Sequence, residues 1–262
     1  MRAVECGSEA SPLILLIPGW GCSVYVFREN LAPLAGAGFH AVAVDLKGHG
    51  LSDKPTAPEE YRLDSMRSHV EDIIEALGGK AIVCGLSMGA ALGAHVAAYA
   101  SHRVRALVMV SPVGFAGVRG LTPIRIATPS FMTPLLPKVA GRWTIRFLLK
   151  MVNGRLRDIT ERDVDEYWAP MQFPEFTAAT RHLLHEFTWR APFRPLGVPC
   201  LIITGGRDRF LSRGSVDHYC ATMPSVKHIN IQDAGHVIFD EAAPVMNDAI
   251  LEFLEDNVRT AG

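Results

Sequence analysis

The run Lys80-Ala81-Ile82-Val83-Cys84-Gly85-Leu86-Ser87-Met88-Gly89-Ala90-Ala91-Leu92-Gly93-Ala94-His95-Val96-Ala97-Ala98-Tyr99-Ala100 decides the reading of the chain. Lys80 to Cys84 is apolar almost throughout, as a strand covered on both faces must be. Met88 to Ala100 is small and aliphatic, and reads as a buried helix. Between them stands Gly85-x-Ser87-x-Gly89. That pentapeptide is common by chance, but a strand before it and a helix after it make it specific for a sharp turn that lifts a serine hydroxyl above a sheet. The turn is too tight for bulky neighbours, hence the two glycines. Ser87 also opens a helix, where the backbone dipole favours developing negative charge. A serine that merely caps the helix is the plainer reading of the same residues.

The same alternation extends in both directions. Leu13–Ile17, His40–Val44, Ala106–Val110, Cys200–Thr204 and His228–Ile231 join Lys80–Cys84 as short buried strands. Val24–Gly36, Leu63–Leu77, Arg213–Met223 and Glu241–Val258 read as helices between them, the last with Val245, Ala249, Ile250, Phe253 and Leu254 at helical spacing. Strand–helix–strand alternation predicts an α/β fold, a mostly parallel, doubly wound sheet with helices on both faces. One interval departs from it. From Pro112 to Pro195 no strand pattern appears, prolines recur, and 11 of the 21 aromatic residues gather. Helical patterns fall at Gly141–Val152 and Phe176–Trp189. The organisation predicted is a core of residues 1–111 and 196–262 with a helical lid inserted at 112–195, its inner face forming either a satellite core or an apolar pocket.

Composition narrows the class. At 262 residues with 48% hydrophobic and 20% charged residues, the chain has the profile of an ordinary globular domain rather than a disordered one. A formal net charge of −1 gives no whole-chain reason to expect a nucleic-acid partner. No apolar run approaches the roughly 18 residues of a membrane span, and Met1 to Glu5 does not open a signal peptide. Cys6, Cys22, Cys84, Cys200 and Cys220 are odd in number and lack ligand spacing, which points to a reducing, cytoplasmic setting without a disulfide framework or structural zinc.

A serine hydroxyl needs a base, and the base needs an orienting carboxylate. Gly235-His236 follows the strand ending at Ile231, and Gly205-Gly206-Arg207-Asp208 follows the strand ending at Thr204. Both therefore fall at the carboxyl edge of the sheet, where parallel α/β folds gather their sites. The order Ser87, Asp208, His236 is that of acyl-transfer enzymes built on such sheets. Asp233 and Asp240 compete for the carboxylate role but read as turn and helix-cap residues. Attack on a carbonyl also creates an oxyanion that needs preorganised donors. Pro18-Gly19-Trp20-Gly21-Cys22 directly follows the first strand, and assigns the backbone N–H groups of Trp20 and Met88 to that task, with the Trp20 indole walling the pocket.

Together these motifs resemble the α/β-hydrolase superfamily over nearly the whole chain, in particular its capped single-domain serine esterases. The resemblance rests on Pro18-Gly19-Trp20-Gly21, on Asp45-Leu46-Lys47-Gly48-His49-Gly50-Leu51-Ser52 after the second strand, on Gly85-Leu86-Ser87-Met88-Gly89, on Gly206-Arg207-Asp208 and on Gly235-His236. It implies Ser-Asp-His hydrolysis with no metal or organic cofactor. Many members carry His-Gly where this chain has Pro18-Gly19; the donor is the next residue's backbone, so the oxyanion hole is expected to survive. The stretch before Leu13 is short, and one of the leading antiparallel strands usual in the family is expected to be missing or reduced. Dehalogenase and epoxide-hydrolase members use aspartate as nucleophile, and Ser87 argues against both.

The lid carries Arg119, Arg125, Lys138, Arg142, Arg146, Lys150, Arg155 and Arg157 with no acidic residue between the first and the last. Arg142, Arg146 and Lys150 share one helix face. A solvated face with Asp158, Glu161, Asp163, Asp165 and Glu166 as partners is the plain reading. The sharper one is a surface for an anion, such as an acyl carrier protein, a coenzyme A thioester or anionic lipid. The Gly-Trp-Gly loop with a basic lid is also similar to the pimeloyl-acyl-carrier-protein methyl ester carboxylesterases. His182 and His185 have a chelating spacing but no third ligand, and read as lid packing, as Cys22 and Cys84 read as small buried hydrophobes. The activity expected is hydrolysis of a carboxylic ester with a mainly apolar acyl group. Carbon–carbon hydrolysis, thioester, enol-lactone or perhydrolase chemistry with the same residues, and a non-catalytic receptor on the same scaffold, are the alternatives.

Overall fold

The computed structural model describes residues 1–114, 122, 125, 126, 128, 129, 141–187, 194, 196–211, 213–223 and 225–258. Arg119, Lys138 and Trp189 of the sequence reading lie outside them. Seven strands, β1 (Arg2–Cys6), β2 (Leu13–Ile17), β3 (His40–Asp45), β4 (Ala81–Leu86), β5 (Val104–Val110), β6 (Cys200–Gly205) and β7 (Val226–Ile231), form one sheet in the order β1-β3-β2-β4-β5-β6-β7. All neighbours are parallel except β1, which runs antiparallel to β3 with Arg2 opposite Asp45. A single leading antiparallel strand is thus present, five residues long, with no second one before Leu13 among the described residues, as the expectation of a missing or reduced strand has it. It lies at the sheet edge with three of its side chains exposed, so it has no apolar run by which a sequence pattern could find it.

Alternate residues of β2 face opposite layers. Leu13, Leu15 and Ile17 pack with α2 (Leu63–Ala76), α3 (Met88–Tyr99) and α7 (Arg213–Thr222), while Ile14 and Leu16 pack with α1 (Leu31–Gly36), α8 (Ile238–Glu241) and α9 (Ala243–Asn257). Helices therefore cover both faces, which is the physical reason the central strands read as continuous apolar runs.

The predicted helix Val24–Gly36 is broken in two, a 3₁₀ turn at Val24–Phe27 followed by α1. The predicted Glu241–Val258 starts afresh at Ala243 as the continuous α9, Glu241 being the last residue of the short α8. In each case a proline explains the restart. Pro33 and Pro244 are tolerated only within the first turn of a helix, since further in they would clash with the carbonyl four residues back. Val245, counted among the apolar positions of the last helix, is 53% exposed, and Met246 is the buried residue instead.

Between β5 and β6 the described residues 141–187 hold three α-helices, α4 (Arg142–Val152), α5 (Glu161–Trp168) and α6 (Pro174–Glu186). Ile145 and Leu149 of α4 and Val164 of α5 form a small separate core, whereas Ala179 and Leu183 of α6 join the main one. α5, with only Val164 and Asp163 buried, lacked the apolar stripe that would have marked it. A buried polar cluster fastens this insertion to the sheet layer. Arg157 reaches Asp163 at 2.9 Å and Asp240 at 3.1 Å, Arg28 reaches Asp240 at 2.5 Å, and the Tyr25 hydroxyl donates to Asp163 at 2.9 Å. Burial alone would raise the Asp163 carboxyl, but bonds from Arg157, Thr160 and Tyr25 hold it down at about 2.

The turn after β3 contributes an acid sensitivity. His49 is wholly buried, its Nδ1 lies 3.3 Å from the Lys47 carbonyl, and its Nε2 has no partner among the described residues. Burial pushes its pKa from 6.5 down to about 4. The unfolded chain therefore protonates first as pH falls, so stability is full above pH 6.5 and declines towards pH 4. Burial lowers His69, His182, His185 and His228 too, in the same direction. The His49 share is roughly 3 kcal/mol at pH 4. Denaturant midpoints taken from pH 7.5 to 4.5 should fall steadily below 6.5, and less steeply in His49→Leu; a flat curve for the parent would refute the sign.

Candidate active site

β4 ends at Leu86 and α3 begins at Met88, leaving Ser87 alone in the turn with φ 53° and ψ −108°. A residue other than glycine in that region is strained, and the surroundings must hold it there. The Ser87 N–H donates to Val110 of the neighbouring strand at 2.8 Å, and its carbonyl accepts from Ala91 at 3.1 Å. A Cβ on Gly85 would stand 2.3 Å from the Gly89 backbone, and one on Gly89 would stand 2.4 Å from the Ile17 carbonyl oxygen. The two glycines are therefore demanded by close approach. The Ser87 side chain makes no capping hydrogen bond to α3, so the cap reading of this serine does not hold.

The loop after β2 lies against this turn, since a Cβ on Gly19 would be 3.3 Å from Ser87 Cβ. Trp20 follows, half-buried, with its indole N–H donating to the Thr180 carbonyl of α6 at 3.0 Å. Met88 is the first residue of α3, where a backbone N–H has no intrahelical acceptor. The loop that carries Trp20 and the first residue of α3 thus both adjoin Ser87.

On the same carboxyl edge, β6 and β7 deliver Asp208 and His236. His236 Nδ1 and Asp208 Oδ2 are 2.7 Å apart, with the carboxylate almost fully buried and the ring 12% exposed. Asp208 Oδ1 accepts from the N–H groups of Phe210 at 2.8 Å and Leu211 at 3.0 Å. Burial would raise this carboxyl, but His236 and those two amides outweigh it and hold it below the usual range. An ionised carboxylate accepts only, so the proton sits on Nδ1 and Nε2 keeps its lone pair. The Phe210 ring lies 5.6 Å from the imidazole. The competing carboxylates are engaged elsewhere, Asp233 with Arg207 at 2.9 Å and Asp240 in the buried cluster.

The His236 loop also rests on the inserted segment. The His236 N–H donates to the Val152 carbonyl at 2.6 Å, and the Arg155 N–H donates to the Asp233 carbonyl at 3.0 Å. Sequence reasoning missed Val152, whose contribution comes from a backbone carbonyl that no side-chain pattern marks.

The basic face of α4 is largely paired within the molecule. Arg142 reaches Glu161 at 2.8 Å and also contacts Asp165, and Arg146 contacts the same Glu161, while Lys150 stands exposed. His182 stacks on Tyr61 at 5.5 Å, and the His185 Nε2 lies 3.5 Å from the Thr128 hydroxyl. Among the described residues, no three His, Cys, Asp or Glu side chains gather as a metal site. Cys22 and Cys84 are buried, and burial pushes the Cys22 thiol up to about 12. No helix among the described residues is long and apolar enough to cross a membrane.

A parallel sheet with a strained serine at the end of a central strand and a His–Asp pair at its rim defines the architecture of a hydrolase. The chain belongs to the α/β hydrolase fold family, whose model matches residues 12–243. It is 28% identical to the AB hydrolase superfamily protein YfhM of Bacillus subtilis, over 98% of this chain and 94% of that protein. It is 25% identical to the bifunctional epoxide hydrolase 2 of Sus scrofa, over 99% of this chain but only 54% of that enzyme's length. Among solved structures, a serine hydrolase involved in carbazole degradation superposes with a TM-score of 0.79 at 22% identity, covering 97% of this chain and 94% of the other.

Proposed function

We propose that this chain is a serine hydrolase that cleaves a carboxylic ester with a mainly apolar acyl group. One observation carries the reading: the 2.7 Å contact between His236 Nδ1 and Asp208, at the sheet edge where Ser87 occupies its strained turn. His236 Nε2 takes the Ser87 hydroxyl proton as Oγ bonds to the ester carbonyl carbon. The resulting oxyanion is held by the Trp20 and Met88 amides. Collapse breaks the carbon–oxygen bond to the alcohol, which receives the proton from His236. Water, deprotonated by His236, then attacks the acyl-enzyme, and Ser87 recovers its proton as the acid leaves. Asp208 holds the imidazole tautomer and stabilises the imidazolium. No step needs a metal or organic cofactor.

Ser87 supports ester chemistry over the epoxide opening named for the pig relative, because an acyl-enzyme forms at a serine while the epoxide-hydrolase resemblance calls for an aspartate. Phe210 beside His236, and Trp20 on the loop whose Gly19 abuts Ser87, support an apolar acyl group. The described part of the insertion, residues 141–187, touches this edge through Val152, Arg155 and Thr180, which supports its reading as a cap. Free thiols at all five cysteines support a cytoplasmic setting. Arg142 and Arg146 are already paired with acidic side chains of α5, so we do not extend the proposal to an acyl carrier protein. The test is a turnover panel of p-nitrophenyl esters, thioesters, enol-lactones and vinylogous diketones. Esters with medium aliphatic acyl chains should show the highest kcat/KM. Preference for the diketone or lactone would move the assignment to carbon–carbon or lactone chemistry, and absence of both turnover and fluorophosphonate labelling would leave a receptor.

A further inference from the structure

The short helix α8 begins two residues after His236 and carries two buried carboxylates, Asp240 and Glu241, each 6% exposed. Their partners differ. Asp240 binds arginines, Arg28 at 2.5 Å and Arg157 at 3.1 Å. Glu241 accepts from two backbone amides, Oε2 from Gly235 at 2.6 Å and Oε1 from Leu156 at 3.1 Å. Gly235 is the residue before the catalytic-base candidate, and Leu156 belongs to the segment that leaves α4. The same segment supplies the Val152 carbonyl that accepts from His236 N–H. The approach is close enough that a Cβ on Gly235 would stand 2.4 Å from both the Gly154 nitrogen and the Val152 oxygen. The two peptide groups that flank the Gly235 Cα, just before His236, are therefore both tied: the Gly235 amide to a buried carboxylate and the His236 amide to the insertion.

We infer that Glu241 is a positioning residue for His236, a buried carboxylate that clamps the histidine loop and the segment between α4 and α5 together so that Nδ1 meets Asp208. The inference rests on the serine-hydrolase reading above. A carboxylate can accept from both N–H groups at once, and bonds from amides to an ionised acceptor are the strong kind. Glutamine keeps one acceptor oxygen and turns its NH₂ towards the other amide, so one bond is lost and replaced by two donors facing each other. Alanine loses both. The imidazole then samples positions out of line with Ser87, and misplacement on the ångström scale costs up to about 100-fold in rate. The loss falls on kcat, because the acyl pocket is not touched.

The test compares Glu241→Gln, Glu241→Ala and Asp240→Asn in the full-length protein, each with a folding check by circular dichroism and a melting curve. The substrate is the best ester of the panel, with Ser87→Ala as reference. Glu241→Gln should lose about 10-fold in kcat with KM within twofold, and Glu241→Ala about 100-fold. Asp240→Asn disturbs the cap anchorage on the same helix without touching the Gly235 amide, and should melt lower while keeping kcat within about twofold. Parent-like kcat in a folded Glu241→Gln, or an equal kcat loss in Asp240→Asn, overturns the inference. Retained hydrolysis by Ser87→Ala would instead overturn the serine-hydrolase reading, so the two failures are distinguishable.

Discussion

Ser87→Ala is expected to fold like the parent and to lose roughly 10³-fold or more in kcat/KM on p-nitrophenyl esters. Both halves of that expectation follow from the turn. The hydroxyl does not cap α3, so its removal deletes no capping hydrogen bond. Alanine meets the same left-handed penalty at φ 53°, and the backbone bonds to Val110 and from Ala91 that hold the turn remain. The melting midpoint should therefore stay within a few degrees of the parent's. Activity cannot be replaced so simply. Without Oγ no acyl-enzyme forms, and what remains is water acting at a site that still offers oxyanion donors and a base, which is why the expected loss is large but finite. Steady-state rates and fluorophosphonate labelling measure the two sides independently. Hydrolysis within tenfold of the parent, in a preparation freed of other esterases, would falsify the nucleophile assignment.

The residues whose chemistry is written in local context were the ones readable before folding was known. Ser87 sits between a buried strand and a buried helix, and Asp208 and His236 each follow a strand through small residues, so periodicity plus glycine spacing placed all three at one edge. The five central strands were legible for the same reason: burial on both faces imposes an apolar run, whereas β7, an edge strand with no fully buried side chain, was read only over its last four residues, His228–Ile231. β1 was not, because an edge strand with exposed side chains has no such constraint. α5 escaped because its stability comes from a Thr160–Asp163 capping box and from Asp163's tie to Arg157 rather than from an apolar stripe. The restarts at Pro33 and Pro244 were visible as prolines, but a hydrophobic period runs across a restart without registering it. The pairing of Arg142 and Arg146 with Glu161 and Asp165 of α5 is tertiary: the sequence offered those acids as partners beside an anion-binding surface, and only the fold chooses between the two. The Glu241 carboxylate holds backbone amides and Val152 contributes a backbone carbonyl, and no residue type announces such partners.

Asp208→Asn is expected to lower kcat by about 10⁴-fold while leaving the fold and KM nearly unchanged. The geometry separates the two carboxylate oxygens by task. Oδ1 receives the Phe210 and Leu211 amides and fixes the side chain, while Oδ2 faces His236 Nδ1 at 2.7 Å. Asparagine can keep its carbonyl oxygen on the two amides, so the loop should hold and the melting midpoint should fall little. Its NH₂ then faces the imidazole. Nδ1 must become an acceptor, the proton moves to Nε2, and the ring now presents a donor to Ser87 where a base is required. The imidazolium formed during turnover also loses its buried counter-charge. Asp208→Ala behaves differently: it leaves both loop amides without an acceptor and should cost stability as well as rate. The comparison of melting curves and kcat for the two variants therefore reads the oxygens separately. A slow Asp208→Asn with parent-like melting, beside an Asp208→Ala that is both slow and less stable, is the expected pair. A fully active Asp208→Asn would mean that another group orients His236, and Asp233, paired on the surface with Arg207, would then be the first to replace.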